Sequence, residues 1–291
     1  IVGGAAVTEE FYSGYRNSTF SYVVSLLRPE VVEDLQLVDF GYEAITLENA
    51  LYIDSSGEHL LLTADQQFNR AQFEKFSQTD FQAYESLKMG VDVFRLDAGA
   101  RWRLMQFFIG APETIIDRWF ESEKVKSMVA AHIMPANYAP LSQPGASLAM
   151  LHHAVGEVDG RAGAWGIVRR GMGGITQAMM KSAMAHGVTI RTDAAVQRVN
   201  VSDERVTGVT LASGEVLTAP VVAANTDPKR TFFTLLGEEH LPEDFTRDVK
   251  SFRQESASLR MNLALSELPE FSAFPGAEGA HHRASITMIE S

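Results

Sequence analysis

Apolar positions along this chain switch between a two-residue and a helical period, and the switches divide it into segments. Tyr22-Val23-Val24-Ser25-Leu26-Leu27 is an apolar run closed by Pro29, whose fixed φ suits the first turn of a helix over 30–35. Ala44-Ile45-Thr46-Leu47, Leu51-Tyr52-Ile53 and His59-Leu60-Leu61-Leu62 read as strands of a small antiparallel sheet. Asp54-Ser55-Ser56-Gly57 supplies the turn chemistry between the last two. From about Asp65 to His132 the spacing is helical. Ile115, Ile116, Trp119 and Phe120 share one face, as do Val125, Met128, Val129 and His132. Pro135, Pro140 and Pro144 mark an irregular crossing before a helix over 146–153.

The second half begins with a short strand near Trp165 and a glycine-rich turn. A helix over 175–186 follows, ended by Gly187 as its C′ residue. Val188 and Ile190 alternate as a strand. Residues 196–201, 206–211 and 215–218 form a predicted meander, with turns at Ser202-Asp203-Glu204 and Ser213-Gly214. Residues 220–224 read as a short buried strand, Asn225-Thr226-Asp227-Pro228 turns into a helix, and 258–265 is one more strand on Leu259, Met261, Leu263 and Leu265. The order of elements predicts an α/β fold of two interleaved domains, a length of 291 residues with 45% hydrophobic content being enough to bury a sizeable core.

Composition narrows the chemistry. The net charge of −12 disfavours a nucleic-acid partner, which needs clustered Lys and Arg to displace counterions. Cysteine is absent, so a disulfide framework, a thiolate nucleophile and a Cys-based zinc site are all excluded. Redox chemistry would have to reside in a bound cofactor. Apolar runs fall short of the ~20 residues of a spanning helix, which leaves peripheral membrane contact open. Phe68, Phe73, Phe76, Phe81, Trp102, Phe107 and Phe108 read as helical core, or in part as the lining of an apolar pocket.

Two small-residue loops stand out. Gly3-Gly4-Ala5-Ala6 lets the backbone approach a bulky ligand closely. Gly171-Met172-Gly173-Gly174 follows a strand, opens a helix and precedes Asp193 by about the spacing of a dinucleotide fold. Thr176, however, stands where that fingerprint wants Gly or Ala, and a tight connecting loop is the competing reading. His152-His153 and His281-His282 are adjacent pairs, and neighbours in sequence point apart, so neither predicts a metal site. Glu9-Glu10 and Glu238-Glu239-His240 read as solvated surface, and no catalytic acid or base can be named.

Taken in order, Gly3-Gly4-Ala5-Ala6-Val7-Thr8-Glu9-Glu10, Gly14-Tyr15, Ser21-Tyr22, Gly171-Met172-Gly173-Gly174-Ile175, Gly187-Val188-Thr189-Ile190, Val196, Val206-Thr207-Gly208-Val209 and Val221-Val222-Ala223-Ala224-Asn225-Thr226-Asp227-Pro228 resemble the phytoene desaturase-related flavin oxidoreductases. Within them the resemblance is to the branch named for pyridine nucleotide-disulfide oxidoreductase domain-containing protein 2. It implies a partial FAD-binding Rossmann-like domain of the glutathione reductase type with an inserted α+β substrate domain. The FAD-binding parts would be 1–40 and 161–240, and the substrate domain 41–160 with a returning part at 241–291. It implies FAD contacts at Gly3, Gly4, Ala5, Val196, Ala224 and Asn225, and a GxGxxG unit upstream of residue 1, so that the chain is expected to be a piece, inactive alone. Ala5 stands where many relatives carry Arg. The implied activity is hydride removal from an apolar small molecule. Flavin amine oxidation, and non-catalytic binding of the GDP dissociation inhibitor kind, are the alternatives. Cytoplasm and mitochondrial matrix both suit a cysteine-free chain, and the oligomeric state is open.

Overall fold

The structure, a computed structural model, describes residues 2–88, 98–131, 138–150, 156–255, 258–276 and 278–289. It divides into two compact units, a larger one of Gly3–His186 with the segment from Ser256 onward, and a smaller one of Gly187–Glu255 with Val2.

In the larger unit, β1 (Thr8–Tyr12) and β2 (Tyr15–Ser18) form a hairpin, followed by α1 (Pro29–Asp34), which begins at the proline as its φ dictates. β3 (Ala44–Thr46) leaves the expected small sheet and pairs antiparallel with β8 (Gly166–Val168), which follows the short hairpin of β6 (Glu157–Val158) and β7 (Arg161–Ala162). β4 (Asn49–Asp54) and β5 (His59–Leu62) do form the expected hairpin. Its turn is built on the Asp54 carboxylate, which accepts from Ser56 N at 2.9 Å, Ser56 Oγ at 2.6 Å and Glu58 N at 3.0 Å, and pairs with Lys124. A third strand, β12 (Ala284–Ile289), runs parallel to β4 from the far end of the chain.

Strand alternation gives this sheet two apolar faces. Tyr52, Leu60, Leu62 and Ile289 face a helical layer of α2 (Gln66–Glu74), α3 (Asp80–Lys88), α4 (Ala98–Ile109), α5 (Pro112–Trp119) and α6 (Glu123–Ala131). Leu51, Ile53 and Leu61 face Phe271 and Phe274. Ile115, Ile116, Phe120, Val125, Met128 and Val129 are buried, as their spacing predicts, and His132 lies outside the described residues. Each such side chain contributes roughly 1.5–3 kcal/mol by burial, so this layer is the main core. Asp80, fully buried, accepts from Glu121 N at 2.9 Å and Ser122 N at 3.0 Å, which ties the start of α3 to the turn before α6. Of 146–153 only 148–150 is helical among the described residues, and His152-His153 lies outside them.

The smaller unit follows α7 (Gly173–Ala185), whose C-terminal Gly187 adopts φ +85. Its meander is β9 (Val196–Ser202), β10 (Arg205–Leu211) and β11 (Val216–Thr218), all antiparallel. The hairpin residues Asp203 and Glu204 both take positive φ, the geometry of a tight two-residue turn. A π-helical turn (Arg230–Leu236) and α8 (Glu243–Ser251) complete the unit, with Val199, Leu211, Leu235 and Val249 buried.

Three expected strands are absent as strands. Residues 188–190 and 220–224 have no ladder, and Val188 and Val221 are exposed rather than buried. Residues 258–265 are extended and alternate, but Leu259, Met261, Leu263 and Leu265 point to solvent while Arg260, Asn262 and Ala264 turn inward. An alternating pattern marks a strand only where a neighbouring strand takes up its backbone groups, and none does so among the described residues.

Candidate functional site

Gly3, Gly4 and Ala5 lie in a 3-10 turn over Gly4–Ala6. Gly3 takes φ +136, and a Cβ there would stand 2.8 Å from Thr176 Oγ1, so the turn is seated on α7 as only glycine allows. Thr176 is the residue at odds with the nucleotide fingerprint, and this contact accounts for it. Gly4 takes φ +51 with open space where a Cβ would be, and Gly4 and Ala5 are exposed. The Ala5 and Gly3 carbonyls accept from Ser21 N and Ala6 N, whereas the amides of Gly4 and Ala5 have no acceptor among the described residues. An exposed turn of small residues with two unused donors can hold an anionic or polyhydroxyl ligand.

The second glycine loop does different work. Met172 N donates to Ser18 Oγ and Gly173 N to Thr8 Oγ1, both at 2.9 Å. Gly174 N and Ile175 N are taken by Gly171 O and Met172 O. The amides a phosphate would need at the start of α7 are therefore spent, two on the β1–β2 hairpin and two on the loop itself. A Cβ on Gly171 or Gly173 would strike Thr8. The loop is a packing device, the second of the two readings its sequence allowed.

In the smaller unit, Val196 opens β9 and is 36% exposed, while Ala224 and Asn225 are exposed in the irregular stretch before Asp227. Asp227 accepts from Arg230 N at 2.9 Å and Gln254 Nε2 at 2.8 Å, which hold its carboxyl below the usual range and fix the turn after Asn225. These residues thus present an exposed surface, each from a well-anchored neighbour.

The larger unit also contains a chamber of about 400 Å³, within the range of small-molecule sites. Its aromatic walls are Tyr52 from β4, Tyr84 from α3, Trp165 before β8 and Tyr22, with Leu62 and Ile286 beside them. Burial pushes the phenols of Tyr52 and Tyr84 well above the ordinary tyrosine range, so both stay neutral and act as hydrogen-bonding groups, not bases. None of Phe68, Phe73, Phe76, Phe81, Trp102, Phe107 and Phe108 lines it. Phe73 and Phe107 are core, whereas Trp102 and Phe108 are exposed. The signal missed in the sequence is the tyrosines placed within otherwise aliphatic strand and helix faces.

Among the described residues no group of three or more His, Asp or Glu could hold a metal, and no helix is long and apolar enough to cross a membrane. The rings of His281 and His282 lie 4.0 Å apart, closer than adjacent residues were expected to stand, because the chain forms a 3-10 turn there. Glu9, Glu10, Glu238 and Glu239 are exposed, as read from the sequence.

No family model matches the chain. It is 33% identical to pyridine nucleotide-disulfide oxidoreductase domain-containing protein 2 of Rattus norvegicus, over 98% of this chain and 58% of that protein. The chain thus spans somewhat more than half the length of that relative. It is 26% identical to the lycopene-forming phytoene desaturase of Paracoccus sp. over 47% of this chain and 26% of that one. Among solved structures, an oxidoreductase from Methanosarcina mazei is similar with a TM-score of 0.59 at 14% identity, covering 86% of this chain and 57% of that one. Putrescine oxidase is similar with a TM-score of 0.52 at 17% identity, covering 85% and 55%.

Proposed function

The chain is a homologue of pyridine nucleotide-disulfide oxidoreductase domain-containing protein 2 and more distantly related to the carotenoid desaturases, and from that premise we propose that it is part of an FAD-dependent oxidoreductase acting on an apolar small molecule. The observation that carries the reading is the Gly3-Gly4-Ala5 turn, exposed, small and with two unused amides. Gly3, Gly4 and Ala5 in the larger unit, and Val196, Ala224 and Asn225 in the smaller, are the residues offered to the cofactor, each by the surface it presents in its own unit. When bound, FAD supplies the hydride acceptor.

The chain's own part is binding and exclusion of water. The walls of the chamber remove a substrate's apolar body from solvent. The neutral phenols of Tyr52 and Tyr84 orient polar atoms of the substrate without taking a proton from it. No GxGxxG occurs in the 291 residues, so this chain alone is expected to hold FAD weakly.

Substituting Gly4→Asp tests the assignment, because the site tolerates a short polar side chain at φ +51 in open space while placing a carboxylate beside the unused amides. Fluorescence titration of FAD should show affinity reduced at least tenfold, and well below that of Gly4→Asn, which carries the same positive-φ strain without the charge. Equal affinity of variant and parent would overturn the role of the turn. Flavin co-purifying one to one with this chain would contradict the expected weakness.

A further inference from the structure

The extended segment 258–265 carries one cation inward. Asn262 donates to Ser18 O at 3.1 Å and accepts from Asn17 Nδ2 at 3.2 Å, and Leu265 O accepts from Tyr15 Oη at 3.2 Å, so the segment is anchored along the β1–β2 hairpin. Two residues before Asn262, the Arg260 guanidinium lies over the ring of Tyr22, 5.2 Å from its centroid. Among the described residues it has no ion pair and no hydrogen bond, and its Nε is buried without an acceptor. A buried donor without a partner is costly, and several other cations do find one. Arg28, Arg169, Arg191 and Lys250 each meet a carboxylate.

Tyr22 is a wall of the chamber and is half-exposed, which sets Arg260 against a wall residue that reaches solvent. Among the described residues the lining carries no Lys, Arg or His. Its one charged residue among the described ones is Glu48. An anion is repelled from that interior and attracted to Arg260. We propose that Arg260 receives the carboxylate of a substrate whose apolar body fills the chamber, so that the molecule enters head outward. A planar guanidinium already stacked on a ring presents its remaining N–H groups as a fork to both carboxylate oxygens. This rests on the chamber being the substrate site.

Calorimetric titration of the chain with decanoate, decanol and decylamine tests it. Decanoate should bind at least tenfold more tightly than decanol. Arg260→Gln should remove that preference while leaving decanol binding and the melting temperature unchanged, and Arg260→Lys should restore part of it. Decanol binding without any preference for decanoate, or decanoate binding unaltered by Arg260→Gln, overturns the assignment of Arg260 alone. Tightest binding of decylamine, lost in Glu48→Gln, overturns it in favour of a cationic substrate. No binding of any of the three overturns the chamber reading as well, and FAD titration of the same sample reports on the cofactor turn independently.

Discussion

Gly208 sits within β10 at φ +145, at the irregular register beside Val206, and a Cβ there would collide with the Leu217 carbonyl oxygen. Gly208→Ala should therefore cost about 1–3 kcal/mol, read as a lower denaturant midpoint at unchanged slope. His281 is buried against Phe274 and beside His282, with its Nε2 unpartnered, and burial first and the neighbouring imidazole second lower its pKa. Its neutral form is the one the fold accommodates, so the unfolded chain takes up the proton more readily. That contribution is fully present above the ordinary histidine value of 6.5 and is lost as pH falls from there through the lowered one. The pH dependence of the melting temperature should flatten over that window in His281→Leu; an unchanged acid slope would rule this residue out as its source. Neither effect could be read from residue type, because a strand glycine and a histidine pair mean nothing until their neighbours across the fold are known.

At the scale of elements, the α7 start is stabilised from outside the helix. Ser18 is almost fully buried, and Ser18→Ala would leave Met172 N without its acceptor, costing roughly 1–3 kcal/mol. Chemical denaturation of this variant should show that loss, and a variant as stable as the parent would mean the amide finds another acceptor. The helices, the β4–β5 hairpin and the meander were legible because their signals are local: 3.6-residue spacing, a proline at a first turn, and turn residues at fixed places. The pairing of β3 with β8 and of β12 with β4 was not, since those partners lie more than a hundred residues apart. The segments 188–190, 220–224 and 258–265 show the converse, strand-like sequence whose backbone finds no ladder among the described residues. For the glycine loop at 171–174 the sequence pattern is that of a nucleotide turn, yet two hydroxyls from the hairpin consume its donors.

For the whole molecule, the chain is a homologue of pyridine nucleotide-disulfide oxidoreductase domain-containing protein 2 and shares its fold with a solved oxidoreductase, while a fold alone does not fix substrate or activity. The chamber's aromatic walls come from four separate stretches, 22, 52, 84 and 165, and no motif unites them in sequence. The two surfaces proposed for the cofactor, by contrast, are what the family resemblance implies. Amide hydrogen exchange of this chain with and without millimolar FAD puts both to the proof at once, since weak binding suffices at that concentration. Slowed exchange should appear in peptides holding Gly4 and Ala5, Val196, and Ala224 with Asn225, and should leave the loop at 171–174 unaffected. Exchange unchanged at all three, or slowed only at 171–174, would contradict the flavin assignment made here.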